Sequence, residues 1–226
     1  DELLLKERLA ILGQFSGSIS HELRNPLSVI DSSTYFLKDA LNNGDKKTLE
    51  HLDRIKTGVR TSTSIIESLL NLTRMKKPRM ENFDLISIIN KSIDEVKFPK
   101  GIKLTTNFHS DEEIISCETL QIKIALKNII KNGLESMESG SEFTISTIVE
   151  NKGNVKVVLK DTGKGISKED IKKIFLPLFT TKAKGIGFGL PITKMIIENH
   201  HGEIKVRSEP GEGTEFTLVF PVSGTG

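Results

Sequence analysis

The chain has 226 residues, of which 32 are basic and 30 acidic, for a formal charge of +2, and it is 36% hydrophobic and 27% charged. Such a length allows one or two domains, each able to bury a core, and such a composition excludes a disordered or collagen-like chain and an overall polycationic nucleic-acid binder. No apolar run approaches the roughly 18 to 20 residues that span a bilayer, Asp1-Glu2 does not resemble a signal peptide, and the single Cys117 can form neither an internal disulfide nor a cysteine-based zinc site, which points to a reducing compartment.

Leu5, Leu9, Leu12, Ser16, Ile19, Leu23, Pro26 and Ile30 are spaced alternately by four and three residues, and Leu37 and Leu41 extend the stripe. This spacing predicts a long helix with a heptad seam. Asn42-Asn43-Gly44-Asp45 predicts a turn, and a second stripe at Leu52, Ile55, Val59, Ser62, Ile66, Leu69 and Thr73 predicts a second long helix returning antiparallel to the first. Two helices alone leave such stripes partly uncovered. A second copy of the hairpin, completing a dimeric four-helix bundle, is therefore expected.

Residues 1–76 hold four of the 18 glycines and one of the seven prolines, so the composition changes near Lys76-Lys77-Pro78-Arg79. Proline and charge together predict a linker over 77–82 between a helical domain at 1–76 and a second domain at 83–222. Charge does not divide with it, since the first part has 11 basic and 10 acidic residues and the second 21 and 20. In the second domain, period-two patterns predict strands at 102–108, 143–149, 155–160, 203–208 and 214–220. Helices are predicted at 85–96, 120–137, 168–175 and 190–200. The fold class is α+β: a helical hairpin followed by helices layered on a sheet.

With Ile19 and Leu23 on the seam, His21 lies roughly 200 degrees around the helix from Ile19 and is expected to face solvent. Glu22 adjoins it, and Asn25 stands one turn later on nearly the same face. A lone exposed histidine is ordinarily just a surface residue. Pro26 argues for more, because a proline inside a patterned helix costs about 3 kcal/mol and so marks a local requirement. The run His21-Glu22-Leu23-Arg24-Asn25-Pro26-Leu27 resembles the phosphoacceptor box of dimerising sensor histidine kinases. The resemblance implies that His21 takes the γ-phosphoryl group of ATP, that Glu22 is the general base, and that Asn25 helps position water to dephosphorylate the partner. The chemistry suits these residues, since a neutral imidazole nitrogen is a good nucleophile near neutral pH and an adjacent carboxylate can take or orient its other proton.

Four further segments stand in the second domain. Asp161-Thr162-Gly163-Lys164-Gly165-Ile166 follows a predicted strand, and on its own is as well read as a plain strand-to-helix turn. Gly185-Ile186-Gly187-Phe188-Gly189-Leu190 opens a helix whose free amides could hold phosphate, but no strand introduces it as a dinucleotide fingerprint requires, and it lacks the ending of a Walker loop. Asn128 and Asn132 are spaced to share one helix face, where amide oxygens would suit magnesium or merely meet solvent. Phe175-Leu176-Pro177-Leu178-Phe179-Thr180-Thr181-Lys182 pairs apolar anchors with a polar tip.

In this order, and with Gly211-Glu212-Gly213-Thr214 before the last strand, these segments resemble the ATP-binding domain of histidine kinases, a fold shared with DNA gyrase, the heat-shock chaperone and the mismatch-repair ATPase. The resemblance implies an α/β sandwich in which Asp161 accepts a hydrogen bond from the adenine amino group. It further implies that Asn132 ligates magnesium with Asn128 alongside, that Lys182 lies near the phosphates, and that Gly163, Gly165, Gly185, Gly187 and Gly189, with Leu190, form the loops that close around ATP. Hydrolytic relatives carry a glutamate where this chain has Asn128, and an amide cannot act as a general base near neutral pH, so ATP is expected to be protected from water. Departures from the family pattern are Gly133 for alanine, Ile186 and Phe188 for threonine and leucine, Glu203 for glycine, Ser136 where many relatives carry an aromatic, and a short stretch between Thr181 and Gly185.

The expected activity is thus autophosphorylation of His21 from Mg-ATP, then transfer to an aspartate on the receiver domain of a response regulator, with dephosphorylation of that partner as a second activity. The alternatives are a scaffold that mainly dephosphorylates its partner through Asn25, and a gyrase-like ATPase module acting on nucleic acid, which Asn128 and the even charge disfavour. A homodimer is expected, with no nucleic acid and no membrane contact by this segment. Residue 1 already stands within heptads, so a sensory region upstream is expected, with the segment cytoplasmic whether or not that region is membrane-anchored.

Overall fold

The computed structural model describes residues 24, 27–28, 30–35, 37–38, 46–74, 78–110, 113–150, 153–176, 179–182 and 187–221. The chain divides into two compact units, Asp1–Lys76 with Thr180–Ile186, and Lys77–Phe179 with Gly187–Gly226.

In the first unit, the described residues from 24 to 38 are helical and α1 spans Lys46–Arg74. Lys38 Nζ meets Asp53 Oδ1 at 2.7 Å, and the ammonium of Lys56 lies 5.8 Å from the centroid of the Tyr35 ring. Three residues back on one helix correspond to three forward on the other, so the two run antiparallel, as the stripes predict. Leu52, Val59 and Thr34 are buried, whereas the seam residues Ile30, Leu37 and Ile55 remain 43%, 50% and 46% exposed. The stripe from Leu5 to Leu23, Pro26, Leu41 and the predicted turn at 42–45 lie outside the described residues. Among the described residues no helix is long and apolar enough to cross a membrane.

The second unit runs β1 (Glu81–Asp84), α2 (Leu85–Asp94), β2 (Lys103–Asn107), β3 (Ile114–Cys117), α3 (Thr119–Leu134), β4 (Glu142–Glu150), β5 (Asn154–Asp161), α4 (Lys168–Ile171), α5 (Gly189–Asn199), β6 (Glu203–Glu209) and β7 (Gly213–Pro221). Alternation along the strands decides which face is covered. Phe143 and Ile145, Val155, Val157 and Leu159, and Phe216, Leu218 and Phe220 are buried on one face, while Lys160, Lys205 and Arg207 point to solvent on the other. The sheet order is β2-β4-β5-β7-β6, with only β2 and β4 parallel. Apolar faces of α2 (Ile86, Ile89), α3 (Ile122, Ala125, Leu126, Ile129, Ile130) and α5 (Ile192, Ile196, Ile197) supply the buried helical layer. At roughly 1.5 to 3 kcal/mol for each fully buried aliphatic side chain, this interface dominates the stability of the unit.

Three features depart from expectation. β1 and β3 form a separate antiparallel pair, with Glu81 opposite Cys117 and Asp84 opposite Ile114, so a strand begins inside the stretch expected to be linker. Glu81 to Asp84 has no apolar alternation, and its strand character comes from a partner remote along the chain. Asp84 ends β1 and caps α2, accepting from Ser87 N at 2.8 Å, and its other oxygen accepts from Ile86 N at 3.1 Å and Glu113 N at 3.0 Å. The helix expected over 168–175 is a single turn; beyond it Lys173 N bonds to Asp170 O at 2.7 Å and Leu176 N to Lys173 O at 2.8 Å, both three residues back. Only Ile174 in this stretch is buried and Pro177 follows, so little apolar gain favours a longer helix. Finally, α3 stops at Leu134, three residues short of expectation, because the next turn is drawn toward the end of β5.

Candidate functional site

Asp161 is the last residue of β5 and is only 4% exposed. A buried carboxylate needs donors, and three converge on its Oδ1: the backbone N–H of Gly163 at 2.9 Å, the hydroxyl of Ser136 at 3.2 Å and the backbone N–H of Thr214 at 3.3 Å. They arrive from the turn after β5, from the residues after α3 and from β7, so one side chain joins three segments distant in sequence. Gly165 holds φ +69, and a Cβ there would strike the carbonyl of Glu209, so the turn lies against the β6–β7 hairpin as only glycine permits. Ser208 secures the same junction. Its hydroxyl accepts from Ile166 N at 2.8 Å and donates to Gly213 O at 2.7 Å, which leaves Thr214 Oγ1 as the donor in their 2.9 Å contact.

Asn128 and Asn132 both lie half-buried on α3, one turn apart. The Asn128 amide nitrogen donates to Gly189 O at 3.1 Å and lies 3.4 Å from Thr193 Oγ1, whose own proton goes to Gly189 O at 2.9 Å. This fastens the first turn of α5 to α3. Gly187, at φ +76, precedes that turn, and Phe188 caps α5 without a side-chain hydrogen bond, so the first amides of the helix carry no side-chain acceptor from the cap. Gly189 and Leu190 are its first two residues, both half-buried. Amide oxygens are hard donors that fit magnesium, an ion content with few protein ligands. Among the described residues no three or more histidine, cysteine, aspartate or glutamate side chains are grouped to hold a metal.

The structure therefore brings Asp161, Gly163 and Gly165 together at one junction, and Asn128, Gly189 and the turn holding Leu190 at another, with Asn132 between them on α3. Lys182 is half-buried, its N–H donating to Thr180 Oγ1 at 3.1 Å, and it falls with the first unit. His21, Glu22, Asn25 and Gly185 lie outside the described residues. The Gly133 departure has a steric cause: a Cβ there would overlap the ring of Phe143 and come within 3.4 Å of Asp161 Cβ. Phe143 in turn packs edge-on against Phe98, 6.3 Å between centroids. Ser136, Ser208 and His200 are contributors that sequence reasoning passes over or notes only as a departure, because single hydroxyls and a helix-end histidine carry no pattern of their own.

Residues 117–224 match the family model described as "Histidine kinase-, DNA gyrase B-, and HSP90-like ATPase", and residues 11–78 match that of the "His Kinase A (phospho-acceptor) domain". The chain belongs to the histidine kinase family. Sporulation kinase A of Bacillus subtilis is 34% identical to it over 226 residues, covering 98% of this chain and 36% of that protein, and the sensor histidine kinase ZraS of Escherichia coli K12 is 31% identical, covering 100% and 49%. The chain thus spans between about a third and a half of the length of these relatives. Among solved structures, the histidine kinase ThkA in complex with the response regulator protein TrrA matches with TM-score 0.69 at 25% identity, over 96% of this chain and 64% of that one. The nucleotide-free catalytic domain of ThkA matches with TM-score 0.58 at 28% identity, over 64% and 98%. A histidine kinase core explains the division into a helical hairpin and a helix-on-sheet unit.

Proposed function

We propose that the chain is an ATP-dependent autokinase core: ATP held in residues 83–222 is attacked by His21 of the hairpin at 1–76, and the phosphoryl group then passes to an aspartate on a response-regulator receiver domain. The observation that carries this reading is Asp161, a buried carboxylate held by Gly163, Thr214 and Ser136 at a glycine turn. A carboxylate is a pure acceptor, suited to the amino group of adenine and opposed to the carbonyl of guanine. Asn128 holds the start of α5, whose first amides, after Gly187 and Gly189 and with Leu190, would meet the phosphates, and Gly185 and Lys182 would serve the same phosphates. Asn132, with Asn128 alongside, would hold magnesium, which supplies charge neutralisation on the phosphates when bound.

A neutral ring nitrogen of His21 forms the bond to the γ-phosphorus while the bond from that phosphorus to the bridging oxygen breaks and ADP takes the electron pair. Glu22 receives the proton from the other ring nitrogen. Phosphoryl transfer needs alignment above all, and the presence of an amide instead of a carboxylate at Asn128 keeps water from being activated in place of the histidine. Asn25 would serve dephosphorylation of the partner by placing water. The likeness to ThkA, solved with its regulator, supports the choice of partner class. Exposed Ile30, Leu37 and Ile55 support a second copy of the hairpin as what completes the bundle. A thiol at Cys117 buried in the fold suits a cytoplasmic location.

Incubation with γ-labelled ATP tests the reading: acid-labile label on the protein is expected in the wild type and absent in His21→Gln, and label that persists in the variant contradicts the assigned nucleophile. Passage of the label to a panel of receiver domains identifies the regulator, and sedimentation of residues 1–76 as a clean monomer sinks the bundle.

A further inference from the structure

Ser136 sits two residues beyond α3, at a position where no role follows from the family pattern. Its backbone carbonyl accepts from Lys164 N at 3.1 Å, and its hydroxyl is 2.8 Å from Gly133 O and 3.2 Å from Asp161 Oδ1. The turn is closed on this residue from the other side as well: a Cβ on Gly163 would overlap the Ser136 hydroxyl and come within 2.7 Å of its carbonyl. Ser136, Gly163 and Asp161 are thus in mutual contact with no room for a larger group.

A serine hydroxyl has one proton, and here it has two acceptors. Gly133 O already receives the Ser136 backbone N–H at 2.9 Å, so it stays satisfied when the hydroxyl turns away. A bond to an ionised carboxylate is charge-assisted and roughly twice as strong as one between neutral groups. Both facts favour Asp161 as the recipient whenever that carboxylate is ionised.

We propose that Ser136 is a positioning residue for nucleotide recognition: its hydroxyl, with the amides of Gly163 and Thr214, holds the Asp161 side chain oriented so that the pocket prefers a purine bearing an exocyclic amino group. The inference rests on the nucleotide reading of Asp161 given above and deepens it. The hydroxyl acts through Asp161 alone, so its effect is confined to nucleotides that Asp161 can distinguish.

The test uses the full 226-residue chain and titration calorimetry with ADP and with inosine diphosphate, which carries a carbonyl in place of the amino group. In Ser136→Ala the affinity for ADP is expected to fall about tenfold and that for inosine diphosphate to change little. An unchanged ratio of the two affinities overturns the proposal, whether neither affinity moves or both fall in parallel, the latter marking a merely structural serine. Asp161→Asn separates this from the reading beneath it: if that variant binds ADP as the wild type does, the assignment of Asp161 itself falls, whereas loss of binding in Asp161→Asn with no effect of Ser136→Ala removes only the role of Ser136.

Discussion

The backbone N–H of Glu118 donates to Nε2 of His200 across 3.0 Å, so a single buried imidazole ties the last turn of α5 to the first turn of α3. The other ring nitrogen, Nδ1, donates to Ile196 O at 2.7 Å, and these two partners require the neutral tautomer protonated on Nδ1. Burial holds the His200 pKa below its ordinary value, against smaller opposing effects from Ile196 O and Glu118. Below the ordinary value the unfolded chain binds the proton more readily than the folded one, so stability is full above about pH 6.5 and declines as the pH falls toward the lower folded value. Urea denaturation of wild type and His200→Ala at several pH values checks this: the variant is expected to be less stable by about 2 kcal/mol near neutral pH, with the gap narrowing in acid.

Gly133→Ala sets two effects against each other. Alanine is the better helix former by about 1 kcal/mol, but its methyl group overlaps the Phe143 ring, and overpacking a filled core costs about 1 to 3 kcal/mol. The net expectation is destabilisation in thermal or urea unfolding, relieved in the double variant Gly133→Ala with Phe143→Leu.

Gly165→Ala has no flexible neighbour to displace. Its φ of +69 and the carbonyl of Glu209 in the path of the new Cβ require the turn after β5 to part from the β6–β7 hairpin. A loss of at least about 1 to 3 kcal/mol in stability is expected, together with weaker ADP binding, because Asp161 takes one donor from that turn and another from β7.

Asn128→Asp removes the N–H that reaches Gly189 O and places a negative oxygen against that carbonyl. ATP affinity is expected to fall by tenfold or more, since losing a hydrogen bond and facing like charges together exceed about 1.4 kcal/mol. Titration with the nucleotide measures it.

Cys117 is fully buried, and burial pushes its thiol up to about 11. A protonated, covered thiol is a poor nucleophile, so modification by iodoacetamide near pH 8 is expected to be far slower in the folded protein than in urea. Fast labelling of the native chain would mean that β3 opens readily.

Residue order alone determined a good deal. The antiparallel pairing of Tyr35 and Lys38 with Lys56 and Asp53, and the alternation that buries Val155, Val157 and Leu159, follow from periods of about 3.5 and 2, because those patterns arise from local backbone geometry. The asparagine spacing and the glycine strings, each ambiguous alone, resemble a nucleotide-binding domain only in their joint order along the chain. What lay beyond reach depends on partners remote along the chain. Glu81 to Asp84 becomes a strand only because Ile114 to Cys117 lies beside it, and Gly133 is glycine only because Phe143 occupies the space. Ser136 becomes a donor to Asp161, and His200 an acceptor for Glu118, by packing that closes gaps of 25 and 82 residues. A buried charge or imidazole is satisfied by whatever polar atoms the tertiary structure delivers within about 3 Å, and no local pattern encodes that delivery.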